Sequence, residues 1–348
     1  MLLIKLSLIS KTERAKTSNG VDFAMRTSTR EYVLKLTSLL VCLAAAFLSL
    51  TGLSYQSLLA WKALPNEGLD KQDAFRSVFF VNGREGWIAG SNATLMHTSD
   101  GGNRWLSRSP RLRWWSFSSL YFADLNKGWV CGGEEVAAVL ATGDGGNTWT
   151  RQYRGDPGHL NCLVGKGENC IWAVGEGGQI VTTIDGTNWA RRPTGIKACL
   201  TGIDMYNSKT GWAVGCDGII LKTDDGGLHW QEQKSGVSVK LTSIAAVNDA
   251  KVFVTGSNGK LLQTIDGGKT WNQKDIDTLG DLNHVRFPSS ELGWIVGGNG
   301  IMFATTDGGQ NWVRMKNIVN VDLIDLYFVQ SDLGWAVGRD GAVLKYSR

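Results

Sequence analysis

The sequence predicts an all-β fold, a seven-bladed β-propeller with four antiparallel strands per blade, and three observations carry that prediction. A Thr-x-Asp-Gly-Gly-x-x-Trp box recurs with its aspartate at Asp100, Asp144, Asp225, Asp266 and Asp307, and Asp185 heads a copy one residue shorter. A Gly-Trp-x-x-Gly element recurs around Trp87, Trp129, Trp212, Trp294 and Trp335, with Trp172 and Phe253 in the same slot without the leading glycine. Successive box aspartates fall 44, 41, 40, 41 and 41 residues apart, the length of one four-stranded unit.

Each repeat reads as four strands. Strand A has the pattern Leu-x-x-Val-x-Phe, as in Leu323–Phe328, and strand B is the Trp-Ala-Val-Gly element. Strand C reads Ile-Leu-Lys-Thr, and strand D carries the box tryptophan. The B–C links contain Asp217-Gly218, Asn258-Gly259, Asn299-Gly300 and Asp340-Gly341, the dipeptides that two-residue hairpins with positive φ require. High glycine content, 44 residues, and 15 tryptophans fit short strands and tight turns. Seven B strands but only six boxes are present, and the chain ends at Arg348, just after the seventh strand C. Trp61, 44 residues before Trp105, fits the missing strand-D slot, so the N-terminal strand closes the last blade.

The chain divides into a targeting segment, residues 1–54, and the propeller, residues 55–348. From Leu36 to Leu53 no residue is charged, and Arg26, Arg30 and Lys35 precede this run. A basic stretch, an apolar core and then small residues is the pattern of a secretory signal. The run also reaches the lower limit for a membrane span, about 18 residues, so an uncleaved anchor is the second reading. Met25 would begin a signal of ordinary length. Residues 1–35 hold seven Lys/Arg against three Asp/Glu, which leaves 29 of each sign over the rest. The body is therefore neutral and carries no global nucleic-acid signature.

Repeated carboxylates invite an acid/base or Ca²⁺ reading, but Asp100, Asp144, Asp185, Asp225, Asp266 and Asp307 all fall in the turn between strands C and D. There an Asp side chain accepts backbone N–H bonds and the tryptophan five residues on pins the turn. The box also lacks the dense oxygen ligands that Ca²⁺ needs. His97, His159, His229 and His284 are scattered without metal-ligand spacing. No catalytic residue, metal or cofactor is read from the sequence. Five cysteines follow the signal, and Cys162 with Cys170, flanking the third A–B turn, or Cys199 with Cys216 are open candidates for oxidation.

The loops carry the functional signal, because loops on a rigid scaffold usually do. Thirteen of the tryptophans fill repeat slots; the two left over, Trp114 and Trp115, lie in the D–A segment with Arg108, Arg111 and Arg113. The next D–A segment has Arg151, Tyr153 and Arg154, and the one after has Arg191 and Arg192. All D–A and B–C links share one rim, opposite the boxes. This sector of arginine and aromatic residues is the candidate partner-binding surface.

The segment Gly90–Trp105 and the joint pattern Gly-Trp-x-Val-Gly with Thr-x-Asp-Gly-Gly-x-x-Trp resemble the photosystem II stability/assembly factor family, exported Asp-box propellers, over residues 57–348. The resemblance implies a non-catalytic chaperone that acts on a membrane protein complex. Its partner would be a membrane protein or its acidic extramembrane segment, a photosystem II reaction-centre subunit in a photosynthetic host. It implies a membrane-proximal location in the periplasm or thylakoid lumen. Photosynthetic bacterial members generally carry a lipid-attachment cysteine; here Cys42 lies inside the apolar run, with Phe47 and Leu48 after it. The alternative is an Asp-box carbohydrate-active enzyme or lectin of the sialidase kind, toward which Val285-Arg-Phe-Pro288 points superficially. In the repeat register Val285 and Phe287 are ordinary strand-A apolar positions. Arg286 takes the slot of Phe79, Tyr121 and Tyr327, and the three arginines and Tyr–Glu pair of such an enzyme cannot be assembled.

Overall fold

The computed structural model describes residues 60–65, 67–70, 74–110, 115–133 and 135–348. The targeting segment assigned to residues 1–54 lies outside them. The described residues form seven four-stranded antiparallel sheets, as the repeat predicts. The innermost strands A span Phe75–Phe80, Ser116–Phe122, Leu160–Lys166, Leu200–Met205, Leu241–Ala246, Leu282–Arg286 and Leu323–Gln330. Each strand A lies beside the strand A of the next blade, and the seventh lies beside the first.

The Gly-Trp-x-x-Gly element follows from packing. Its first glycine lies flat against a strand-A phenylalanine: a Cβ on Gly86 would collide with the Phe80 ring, and one on Gly128 with Phe122. Its last glycine lies against the carbonyl leading into strand A, so a Cβ at Gly132 or Gly338 would collide with the backbone of Ser116 or Asp322. The tryptophan between them is buried and reaches into the next blade. Trp335 stacks on Phe80 of blade one at 3.5 Å and 6°, and Trp87 stacks on Phe122 of blade two at 3.8 Å and 12°. The indole N–H then bonds a box carbonyl of that blade: Trp87 to Gly145 at 3.1 Å, Trp129 to Gly186 at 3.3 Å, Trp172 to Gly226 at 2.8 Å and Trp335 to Gly101 at 3.0 Å. Trp212 and Trp294 are equally buried but make no such bond.

The B–C hairpins turn as their dipeptides require, with φ of 57° at Asp217 and 71° at Gly218, and 53° at Asn299 and 72° at Gly300. The seventh blade takes its fourth strand from the N-terminal side. Trp61–Ala63 pairs antiparallel with the last strand, Trp61 opposite Tyr346 and Ala63 opposite Leu344. The Trp61 ring is buried among Trp294 at 5.5 Å, Phe328 at 5.7 Å and Tyr346 at 5.5 Å. Replacing Trp61 by Ala should therefore cost about 3–5 kcal/mol, the range for truncating a large buried aromatic. Urea unfolding checks this, and a variant as stable as the parent would mean that this strand does not close the ring.

Candidate functional site

The boxes are turns that bind themselves. In the fourth, the Thr223 hydroxyl donates to Asp225 at 2.9 Å and accepts the Gly227 N–H at 2.8 Å. Asp225 also accepts the His229 N–H at 3.0 Å, and its other oxygen pairs with the His229 ring at 2.6 Å. In the fifth, Thr270 supplies both its N–H, at 2.9 Å, and its hydroxyl, at 2.6 Å, to Asp266. Asp100, Asp144, Asp185 and Asp307 accept the equivalent bonds. Every box carboxylate thus faces its own loop. The His229 N–H, against some burial, brings Asp225 down to about 2, and the Thr270 hydroxyl and N–H bring Asp266 to about 2.

The arginine sector takes a different shape from the one expected. Arg111, Arg113 and Trp114 lie outside the described residues. Arg151, Tyr153 and Arg154 are not in a loop: they lie within the outer strand Thr150–Pro157 of blade two. The insertion around Glu134–Val136 is the reason, because it starts strand C at Val136 and pairs that residue with Pro157. Arg191 and Arg192 likewise lie in the outer strand Ala190–Arg192 of blade three, opposite Val181 and Ile180. The residues therefore share the outer wall of two adjacent blades.

Their side chains are not equally available. Arg151 and Arg154 are exposed. Arg191 pairs with Asp156, and the Arg192 Nε donates to the Thr182 hydroxyl at 2.9 Å. Tyr153 packs half-buried against the core cluster that holds Trp129 and Val139. Trp115 packs similarly beside Phe117 and accepts the Ala93 N–H on its carbonyl, which makes it a scaffold residue. Arg108 is half-buried, its Nε without a partner. Among the described residues Arg151 and Arg154 have no carboxylate partner on this wall.

The strands A build a second site that sequence reasoning only touched, a central channel of about 340 Å³. Three levels line it. At the rim end, Asn161, Thr201, Thr242 and Asn283 donate to the carbonyls of Leu200, Leu241, Leu282 and Leu323 in the next blade. At mid-depth, Ser77 and Ser243 accept the N–H groups of Leu120 and Val285, and Asp325 accepts that of Val78 at 2.9 Å. Asp325 also pairs with His284 Nδ1 at 2.7 Å. Burial raises the Asp325 carboxyl, but the His284 charge and bond with the Val78 N–H outweigh it and hold the group below the usual range. At the box end stand Phe79, Tyr121, Asp204, Arg286 and Tyr327, with Asp204 accepting the Ala246 N–H at 2.9 Å.

The remaining candidates are structural. The described histidines disperse: His97 pairs with Glu85 at 2.9 Å and His159 bonds Ser118 at 2.8 Å. Of the cysteine candidates, Cys199 and Cys216 form a disulfide, while Cys162 and Cys170 are free. Cys170 stands opposite Lys166, four residues along the strand from Cys162, or about 13 Å at strand rise. Burial pushes the Cys162 thiol up to about 11, which leaves it unreactive.

These features define an Asp-box β-propeller whose boxes are structural and whose open surfaces are an outer basic wall and an axial channel. The profile of the family described as photosynthesis system II assembly factor YCF48 matches residues 56–193, 181–279, 228–318 and 281–347, and the chain belongs to that family. It is 27% identical over 164 residues to the photosystem II assembly lipoprotein Ycf48 of Synechococcus sp. (strain CC9902), a stretch covering 46% of this chain and 47% of that protein. The match therefore spans about half the length of the curated relative. A solved YCF48 bound to a D1 peptide superposes with a TM-score of 0.69 at 23% identity, covering 83% of this chain and 95% of the other. A catalytically inactive virginiamycin B lyase from Staphylococcus aureus has the same fold, with a TM-score of 0.69 at 11% identity and coverage of 83% and 99%.

Two predictions follow from this geometry. Asp225 and Asp266 sit near 2 in the fold against about 3.9 in an unfolded chain, so their contribution is complete above about pH 4 and fades toward pH 2. The melting temperature should fall over that window, and less so when both are replaced by Asn; parallel curves would detach the boxes from acid stability. Replacing Asp325 by Ala strands the Val78 N–H and His284 and should cost about 3–5 kcal/mol at neutral pH. Asp325→Asn keeps one acceptor and should lose less, as chemical denaturation of the two variants would reveal.

Proposed function

We propose that this protein is a non-catalytic assembly factor that binds an extramembrane segment of a photosystem II reaction-centre subunit. The observation that carries this reading is the match of the assembly-factor family along residues 56–347, the whole propeller. The D1 peptide held by one YCF48 structure is in line with such a partner. The electrostatics favour binding over catalysis: both carboxylates lining the channel, Asp204 and Asp325, are engaged by backbone N–H groups. An acid/base pair needs at least one carboxyl free to carry a proton to substrate.

The contact surface in this proposal is the outer wall of blades two and three, where Arg151 and Arg154 can fork onto acidic side chains. The sequence assigns Arg108, Arg111, Arg113, Trp114, Arg191 and Arg192 to it as well, whereas Trp115 and Tyr153 pack against the scaffold. We place the protein outside the cytoplasm, in the periplasm or thylakoid lumen, delivered and, where uncleaved, tethered by the apolar run at 36–53. Among the described residues no helix is long and apolar enough to cross a membrane.

Reversing Arg151 and Arg154 to Glu should leave folding within about 0.5 kcal/mol, since both are exposed. Capture of the reaction-centre subunit from solubilised native membranes should fall by about tenfold or more, because two attractive contacts become repulsive. Binding by the parent should also weaken as salt rises. Undiminished capture by the folded variant would overturn the assignment of this wall.

A further inference from the structure

The acids and bases that line the channel have different fates. Asp325 is committed to the Val78 and Leu326 N–H groups and to His284, and Asp204 to the Ala246 N–H. The arginines have no such commitments. Among the described residues neither Arg76, at the rim end, nor Arg286, at the box end, has a carboxylate partner. Arg286 instead lies over the Tyr327 ring at 5.3 Å, which fixes the side chain while leaving its charge unmatched. A half-buried guanidinium held in place with no anion is a preformed receptor for one.

What surrounds Arg286 narrows the ligand. Tyr327, Phe79 and Tyr121, from blades seven, one and two, form a continuous aromatic wall, with ring centroids 4.4 Å and 5.3 Å apart. This wall is fixed: the Tyr121 hydroxyl donates to the Gly167 carbonyl at 3.2 Å, and its ring lies so close over Gly165 that any Cβ there would collide with it. On the other side of Arg286, blade five offers only Ala245 in the same slot, which leaves space beside the guanidinium. One mouth of the channel thus presents an aromatic wall of tilted rings, a cation and a gap, with Asp204 engaged by the Ala246 N–H. The cavity volume of about 340 Å³ is at the small end of ligand pockets, roughly 300–1,000 Å³.

We propose that the box-side mouth of the channel binds a carboxylate carried on an apolar or aromatic body, Arg286 taking the carboxylate and Phe79, Tyr121 and Tyr327 the body. The site lies at the axis, apart from the outer arginine wall, and does not depend on it. The same chemistry is available from a small organic acid or from the free end of a peptide that finishes in an apolar residue.

Calorimetry and saturation-transfer NMR on the folded protein test this with hydrocinnamate, with its neutral amide, and with a short peptide ending in phenylalanine as free acid or amide. The acids should bind and the amides should bind at least about tenfold more weakly, the loss expected for one charge-assisted bond. Arg286→Gln should abolish the preference for acid over amide, and Arg286→Lys should keep part of it. Phe79→Leu should weaken acid and amide alike; melting curves identify any variant that is unfolded. A free-acid peptide binding more than about tenfold tighter than hydrocinnamate assigns the site to a chain end, and comparable binding assigns it to a small acid. No binding of either acid, equal binding of acid and amide, or an unchanged preference in folded Arg286→Gln would overturn the proposal. Capture of a membrane partner reads the outer wall alone, so the two assignments fail independently.

Discussion

Four of the seven blade seams are held by an indole that belongs to one blade and is bonded in the next. Trp335 stacks on Phe80 of its neighbour and donates to the Gly101 carbonyl of its neighbour's box across the closing seam, and Trp87 does the same with Phe122 and Gly145. A single side chain therefore fixes the distance between two sheets and the position of the next C–D turn. The repeat motif follows from this contact. The leading glycine clears the face of the phenylalanine, and the box folds its carboxylate inward to present a glycine carbonyl outward. Where the indole makes no such bond, at Trp212 and Trp294, burial alone holds the seam.

That latch sets the channel. With neighbouring strands A at fixed spacing, every residue on their inner side meets the neighbouring blade as well as the axis. Small or hydrogen-bonding residues occupy mid-depth: Ser77, Ser119, Cys162, Gly202, Ser243, with His284 and Asp325 the exceptions that pair with each other. The large aromatic side chains Phe79, Tyr121 and Tyr327 line the box end, where the strands finish. The polar middle ties blade to blade.

The repeat period made the fold legible, because a spacing of 40 to 44 residues with a tryptophan at each end of the unit leaves few alternatives. Blade count and the closing role of Trp61 came from the same register. The arginine sector was less legible. Arg151 and Arg154 were read as loop residues because strand D is short in most blades, whereas blade two extends it to Pro157 through pairing with Val136. Sequence could not tell an arginine that is already engaged, such as Arg191 with Asp156, from one that is free. The cysteine pairing was hidden for a related reason. Cys199 and Cys216 meet where a D–A link passes the end of strand B, and the Cys216 N–H bonds the Cys199 carbonyl there. The register slot of Arg286 was legible, but its lack of a carboxylate partner was not.

The surroundings of the box and mid-channel carboxylates hold them in one charge state. Carboxylates do chemistry when their surroundings let them lose and regain a proton near working pH, which requires burial without compensating donors. The carboxylates of known surroundings in the boxes and at mid-channel meet the opposite condition. Backbone N–H groups and side-chain donors hold Asp225 and Asp266 below the ordinary range, and the His284 charge with the Val78 N–H does so for Asp325, so they stay ionised and fixed. A carboxylate in that state is a structural anchor that removes negative charge from the list of available contacts. Among the described residues, Arg151 and Arg154 on the wall and Arg76 and Arg286 at the ends of the channel have no carboxylate partner.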